Sequence, residues 1–444
     1  MASILGANIY SDIFFVAFKL PNLFRRIFAE GAFTQSFLPN FVQAKKKSLF
    51  IYRIFLKFIF FLLLFSITVT VFSPFFTKLI AIGFSDQEVE LASTFVAINF
   101  YYLPLIFCVS FFASLLQYKN HFATTAFSTV LLNLALITAL LISRNLTKIE
   151  ILYAISYSVI IGGVLQVTAH LIALKQKRLL KLFYIGYKLS KKEKRVDETS
   201  RIKSFFHSFY HAILGNSAAQ FSAFLDTWLA SFLVSGSISY LYYSNRIFQL
   251  PLALFAIALS VGIFPKISRV LKTKGENEAK TLLGNSFYLL LYLLGLSTVG
   301  GIILSEEIVK ILFERGSFSA IDASSTAMVL KMYMIGLLPF GISKIFSLWL
   351  YSKNEQKTAA KISIYSLISN VLLSLILIKP LGVVGLALSS SVSGFVLLFF
   401  TVKAFGLKRF LDIISFSKTT LFLIVMTIEI FILIWFKDVL DVYL

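Results

Sequence analysis

The sequence predicts an all-α polytopic membrane protein, with about twelve full transmembrane helices set as two parallel-repeat lobes around a central cavity. Three observations carry that prediction. Apolar runs long enough to cross a bilayer recur from end to end of a chain that is 58% hydrophobic and only 14% charged. Positive charge gathers in alternate connections between those runs. The two halves of the chain match each other when one is shifted by 230 residues.

The runs fall at 9–30, 53–80, 91–117, 123–143, 151–174, 205–233, 238–264, 281–304, 322–351, 361–378, 383–403 and 413–436. The first is unlike the rest, because it carries Asp12, Lys19, Arg25, Arg26 and Glu30 within an apolar helical stretch. A charge at a bilayer centre costs about 3 kcal/mol on insertion scales. Such a residue either marks a polar path or lies near a helix end and snorkels to the headgroups. The second run holds Lys57, the third Pro104, and the fifth the pair Gly162-Gly163, which suits close helix packing. A basic segment at 175–203, containing KKEKR, then divides the chain. It reads as a solvated cytoplasmic connector suited to anionic lipid headgroups. The sixth run holds Asp226, and the seventh holds Arg246 and Pro251. The ninth holds Lys331, Pro339 and Lys344, the tenth Asn370 and Ser374, the eleventh Ser389 to Ser391, and the last Glu429. This order gives an N-terminal lobe at 1–174, the connector at 175–203, a C-terminal lobe at 204–405 and an extra transmembrane helix within 406–444.

Orientation follows from the connections. If the loop after the first run is cytoplasmic, the loops on that side hold 28 Lys and Arg and the opposite loops hold 7. That asymmetry places the basic connector inside the cell. It also explains the net charge of +21 without nucleic acid, because the cations lie in short loops between spans. Long runs rather than alternating residues exclude a β-barrel. The lone Cys108 allows no intramolecular disulfide and implies no thiolate metal cluster. The opening residues MASILGANIYSD lack the charged start and cleavage site of a signal peptide. There is no P-loop, nucleophile elbow or pair of catalytic carboxylates, so an enzyme is not expected. His207 and His211 are one turn apart but lack a third metal ligand.

The repeat is read from residues. Gly6, Tyr10, Phe18, Leu20 and Pro21 meet Gly236, Tyr240, Phe248, Leu250 and Pro251 at the same offset. Further on, Ser114-Leu115 with Tyr118-Lys119-Asn120 resembles Ser347-Leu348 with Tyr351-Ser352-Lys353-Asn354, and Asn133 and Asn370 follow in similar apolar runs. Matched runs cross the membrane in the same direction, which is the mark of a parallel repeat. In the second half a full run precedes Gly236, whereas five residues precede Gly6. The repeat therefore leads us to expect one more helix ahead of residue 6. Either the chain begins late or the protein does without that helix.

The intramembrane charges are the candidate site. Arg25 and Arg246 lie on repeat-related runs, where both can face one cavity. Guanidinium groups grip phosphate oxygens in bidentate fashion and stay charged at any accessible pH, so they suit a diphosphate headgroup. Arg26 can join them or pair with Glu30 one turn away. Lys19 can face the cavity or snorkel, and Arg246 can instead pair with Asp226. Asp226, Asn370, Ser374 and the Ser389–Ser391 hydroxyls can coordinate a hard monovalent cation such as Na⁺, or serve as hydrogen-bond glue between helices.

The stretch SDIFFVAFKLPNLFRRIFAEGAFTQSFLP, Ser11 to Pro39, closely resembles the signature of the MurJ (MviN) family. These are lipid II flippases of the multidrug/oligosaccharidyl-lipid/polysaccharide exporter superfamily. Similarity continues at AILGNSAAQ, Ala212 to Gln220, at SGSISYLYYSNRIFQLP, Ser235 to Pro251, and at LFERGSFSAIDA, Leu312 to Ala323. The resemblance implies two six-helix lobes around a cationic cavity, with C-terminal helices forming a groove for a polyprenyl tail. It implies a multi-pass protein of the bacterial cytoplasmic (inner) membrane that moves undecaprenyl-diphosphate-linked disaccharide-pentapeptide from the inner to the outer leaflet for peptidoglycan synthesis. It implies lipid II and membrane lipids as partners, with cell-wall synthesis proteins beside them, and no cofactor other than Na⁺. By position Arg25 and Arg246 match cavity arginines of the family, and Asp12 matches its acidic position. Asp226, Asn370, Ser374 and Ser390 fall where some members hold sodium, although Ser374 replaces a carboxylate. Asn245 and Gln249 stand where relatives often carry acids. Relatives usually begin with an arginine-bearing helix absent from this sequence, and many end on two helices where one is visible here. Alternatives to this reading are a flippase for another polyprenyl-linked polysaccharide, a cation-coupled exporter and a non-transporting membrane scaffold.

Overall fold

The computed structural model describes the backbone of residues 1–29, 32–192 and 198–443, and every element among them is helical. Side chains at 26–32, 35, 192–200, 211–212, 214–223 and 440–444 lie outside the described residues. The expected Arg26–Glu30 pair, most of the KKEKR run, His211 and nearly all of the Ala212–Gln220 stretch are therefore outside them too. The chain divides into two units: Ile9–Gln220, and Met1–Asn8 together with Phe221–Leu444. It opens on the short helix α1 (Ala2–Leu5).

The unit at Ile9–Gln220 contains α2 (Ile9–Ala29), α3 (Ala32–Gln43), α4 (Lys47–Val71), α5 (Ser73–Ile80), α6 (Asp86–Phe100), α7 (Tyr102–Tyr118), α8 (Ala123–Ser143), α9 (Lys148–Gln176) and α10 (Leu180–Lys192). Helix α11 (Glu198–Ala230) runs from this unit into the other. The abundance of Phe has its explanation here. Phe33, Phe37 and Phe41 recur at every fourth residue, so they form one face of α3, and all three are fully buried. Phe33 packs edge-on to Phe107 of α7 and Phe205 of α11, each at 5.7 Å between centroids. The segment after the first run, expected as a loop, is thus a helix that carries the unit's aromatic core.

Two of the long runs here are broken. The run at 53–80 splits at Phe72, where Pro74 starts α5, and the run at 91–117 splits at Tyr101 between α6 and α7. The basic connector also departs from expectation. Its residues 180–192 form α10, which packs along the first turns of α4. A Cβ at Gly186 would stand 2.2 Å from the Ser48 carbonyl oxygen, so only glycine permits that approach. Phe183 fills the space beside it against Phe55, Phe111 and Phe112.

The second unit continues with α12 (Ser237–Pro251), a π-helical turn at Leu252–Ile257, α13 (Ala258–Thr273), α14 (Glu276–Ile303), α15 (Ser305–Phe313), α16 (Ala320–Ile335), α17 (Leu337–Ser352), α18 (Gln356–Phe405), α19 (Leu407–Ile413) and α20 (Phe416–Tyr443). Helix α18 contains two expected runs, joined at a corner where Gly382 leaves helical geometry at φ 55° and ψ −133°. Polar contacts tie α12 to α16: the Tyr240 hydroxyl donates to Asp322 at 3.0 Å, and Ser244 donates to the Thr326 carbonyl at 2.7 Å. The last helix is held to α15 by Lys437 and the buried Glu307, 3.1 Å apart. Residues 1–8 pack within this unit, with Ser317 N–H donating to the Ser3 carbonyl at 2.8 Å.

Among the described residues, nine stretches are long and apolar enough to cross a membrane. That tally counts α18 once despite its corner, and it passes over α2, which places Asp12, Lys19, Arg25 and Arg26 in 21 residues. The repeat is written into the backbone of each half. Gly6 and Gly236 both adopt positive φ, at 76° and 95°, just before α2 and α12. Asn120 and Asn354 both adopt the left-handed conformation, at 55° and 61°. Ser85 with Glu88 and Ser319 with Asp322 form matching capping boxes at the starts of α6 and α16. Breaks at Tyr101 and Gly336 are followed at the same distance by Pro104 and Pro339.

Candidate functional site

Helix α2 is buried on every side from Ser11 to Ala17 and is less covered in its cytoplasmic half. Asp12 is 2% exposed among buried neighbours from Ser11 to Ala17. Phe14 stacks on Phe18, which meets Tyr102 of α7, and Phe24 meets Phe65 and Phe100 edge-on. These contacts fix the rotation of the helix. Lys19 and Arg25 are left half-buried on it. Arg25 is braced from its own helix, with Nε donating to Asn22 Oδ1 at 3.0 Å. Among the described residues its two terminal nitrogens have no hydrogen-bond partner. Its charge reaches Tyr102, whose hydroxyl donates to Gln166 of α9 at 3.1 Å.

Arg246 is braced in the same manner on α12. Its Nη2 donates to the Tyr242 hydroxyl at 2.7 Å, and its guanidinium carbon lies 4.6 Å from the centre of that ring. The guanidinium is thus both hydrogen-bonded and stacked on an aromatic face, and it remains exposed. The described partner of Arg246 is Tyr242, where the sequence left pairing with Asp226 open. Beside it, Gln249 donates to Asn245, and Asn245 is hydrogen-bonded to Tyr333 of α16. Positions 245 and 249 therefore form an uncharged pair. Just beyond them Pro251 removes a backbone donor, and the helix answers with the π-helical turn.

Counted from the matching prolines Pro21 and Pro251, Arg25 lies four residues toward the cytoplasmic end and Arg246 five residues toward the outer end. At 1.5 Å per residue, Arg25 lies about 6 Å beyond Pro21 along α2, and Arg246 lies about 8 Å before Pro251 along α12. The two arginines are thus matched by helix but not by position within the repeat.

The residues considered for sodium form two pairs. Ser390 Oγ donates to Asp226 Oδ2 at 3.4 Å, and Ser374 Oγ donates to Asn370 Oδ1 at 3.3 Å. Asn370 and Ser374 are each 1% exposed. One carboxylate, one amide and two hydroxyls are hard oxygen donors that fit a monovalent cation. Among the described residues, no group of three or more His, Cys, Asp or Glu could hold a metal ion.

Known proteins resemble the chain along nearly its whole length. The family model described as "Lipid II flippase MurJ" matches residues 1–442. This chain belongs to the MurJ family. A protein of Helicobacter pylori strain J99, named probable lipid II flippase MurJ, is 49% identical over 446 residues, covering 99% of this chain and 97% of the relative. The MurJ relative of Haemophilus influenzae is 31% identical, over 94% of this chain and 83% of the other. A solved MurJ structure in an inward closed conformation matches with a TM-score of 0.76 at 23% identity, covering 99% of this chain and 95% of the other. An inward-facing MATE multidrug transporter matches with a TM-score of 0.69 at 13% identity, covering 91% and 92%. At these identities the two structures establish the fold. The sequence reading overlooked Asn22 and Tyr242 as supports, yet both were legible: each stands one helical turn before its arginine.

Proposed function

We propose that this MurJ-family chain carries lipid II from the inner to the outer leaflet of the cytoplasmic membrane. It is a transporter, not an enzyme. The observation that supports the reading most is a pair of intramembrane arginines on repeat-related helices, each braced by a neighbour one turn back. Bracing holds the guanidinium fork open toward a ligand, which lowers the entropy lost when a diphosphate is gripped. Arg25 stands toward the cytoplasmic end and receives the diphosphate first. Arg246 stands toward the outer end and holds it later, as the arginine-bearing faces of α2 and α12 are exposed to the two sides in turn. Asp12 and Lys19 lie on the same helix as Arg25 and tune the potential around it. With the cell interior negative, each charge moved across the membrane gains or loses about 2.3 kcal/mol per 100 mV. That term favours outward movement of the anionic head and return of the empty cationic site. A sodium ion held by Asp226, Asn370, Ser374 and Ser390 would add a fixed positive charge beside α12 and tie α11 to α18. Enzymes that polymerise the exported precursor consume the product, so cell-wall synthesis proteins are the natural partners. Complementation tests the reading. Cells depleted of their own flippase should survive on the native chain and lyse on Arg25→Ala or Arg246→Ala, with both variants inserted at native levels. Survival on both variants would remove the arginines from the mechanism.

A further inference from the structure

Helix α10 has two faces, and transport as derived above uses neither. The inner face is occupied: Leu179, just before the helix, is 3% exposed, Phe183 lies among Phe55, Phe111 and Phe112, and Gly186 rests on Ser48. The outer face carries Lys181, Tyr184, Ile185, Tyr187, Lys188 and Lys191. Tyr184 is 61% exposed and Ile185 45%, side by side on the surface, while Tyr187 at their border is 42% exposed and meets the Tyr52 ring of α4 edge-on at 5.9 Å. The ammonium of Lys188 lies 4.6 Å from the Tyr184 ring centre, and that of Lys191 lies 4.5 Å from the Tyr187 ring centre. These pairs hold cations and aromatic rings side by side along one stripe. Lys175, Lys177 and Arg178 precede the helix, and no acidic residue occurs from 175 to 192.

The position of the stripe identifies what it meets. The 28-to-7 charge asymmetry puts this connection on the cytoplasmic side. The inner face of α10 packs against α4 residues from Ser48 to Phe55, the first turns of a membrane-spanning helix that begins at Lys47. Eight residues of helix span about 12 Å, so α10 lies beside the headgroup layer rather than out in the cytoplasm. Tyrosine rings belong at that level, and each lysine near an anionic leaflet gains about 1 kcal/mol.

We propose that the outer face of α10 is a docking surface for anionic phospholipid headgroups of the cytoplasmic leaflet. Tyr184 and Ile185 enter the interface, and Lys181, Lys188 and Lys191 take the phosphates. Because the opposite face is locked on α4, lipid charge is reported to a helix of the transport fold.

The test uses the full chain with Cys108→Ser and Tyr184→Cys, labelled at 184 with an environment-sensitive dye. It is reconstituted in nanodiscs of phosphatidylcholine alone or with one third phosphatidylglycerol. Quenching by headgroup spin-labelled lipid should rise severalfold with phosphatidylglycerol and fall back in high salt. The combined Lys181→Gln, Lys188→Gln and Lys191→Gln variant should lose the phosphatidylglycerol dependence, with an unchanged unfolding temperature showing that α10 stays docked. Equal quenching in both lipids, or dependence that survives the three substitutions, would overturn the proposal. Capture of a soluble protein by this face, with no response to lipid charge, would also overturn it.

Discussion

Arg246 reaches from α12 across the ring of Tyr242 and bonds to its hydroxyl, so two interactions hold one guanidinium in place. They separate by mutation. Tyr242→Phe keeps the ring and loses the hydrogen bond, whereas Tyr242→Ala loses both. In a lipid II titration of flipping rate, half-saturation should rise about fivefold for the first and further for the second, while the maximal rate falls less. Equal values for the two variants would mean that the ring contributes nothing. The charges of α2 were legible in the sequence because they stand out in an apolar run. What holds them was within reach at one-turn spacing but unread, because Asn22 and Tyr242 look ordinary among membrane residues. The stagger between Arg25 and Arg246 was also within reach, by counting from Pro21 and Pro251.

Among the elements, the repeat was the most readable feature, and its backbone consequence is testable. Asn120 and Asn354 hold left-handed φ after matching helices, a conformation that costs a β-branched residue roughly 1–2 kcal/mol. Asn120→Val and Asn354→Val should each lower the unfolding temperature in detergent, and the glycine replacements should not. The helix break at Phe72 was marked by Pro74 but not read, whereas at Tyr101 the apolar run continues unchanged and at Gly336 a lone glycine is common in membrane helices. Helix α3 escaped notice because its Phe33, Phe37 and Phe41 face is short, and α10 because its lysines suggested a solvated linker. The close approach of Gly186 to Ser48 yields a sharper prediction. Gly186→Leu places a side chain where the α4 backbone stands, and overpacking of this kind costs about 1–3 kcal/mol. Hydrogen exchange across 180–192 should speed up in that variant while α12–α18 remain protected. Unchanged exchange would show that α10 does not depend on this contact.

At the scale of the molecule, the chain belongs to the MurJ family, and its two halves run through the same order of helices from α2 and from α12. In the proposed mechanism the arginines are the groups that hold the diphosphate during transit. The direct measurement is lipid II translocation in sealed vesicles containing the purified chain, read by accessibility of the headgroup to an external probe under an imposed potential. The native chain should translocate lipid II at a rate that grows with the potential. Arg25→Ala and Arg246→Ala should fall to the rate of protein-free vesicles while retaining native unfolding temperatures. Native rates in both folded variants would contradict the account.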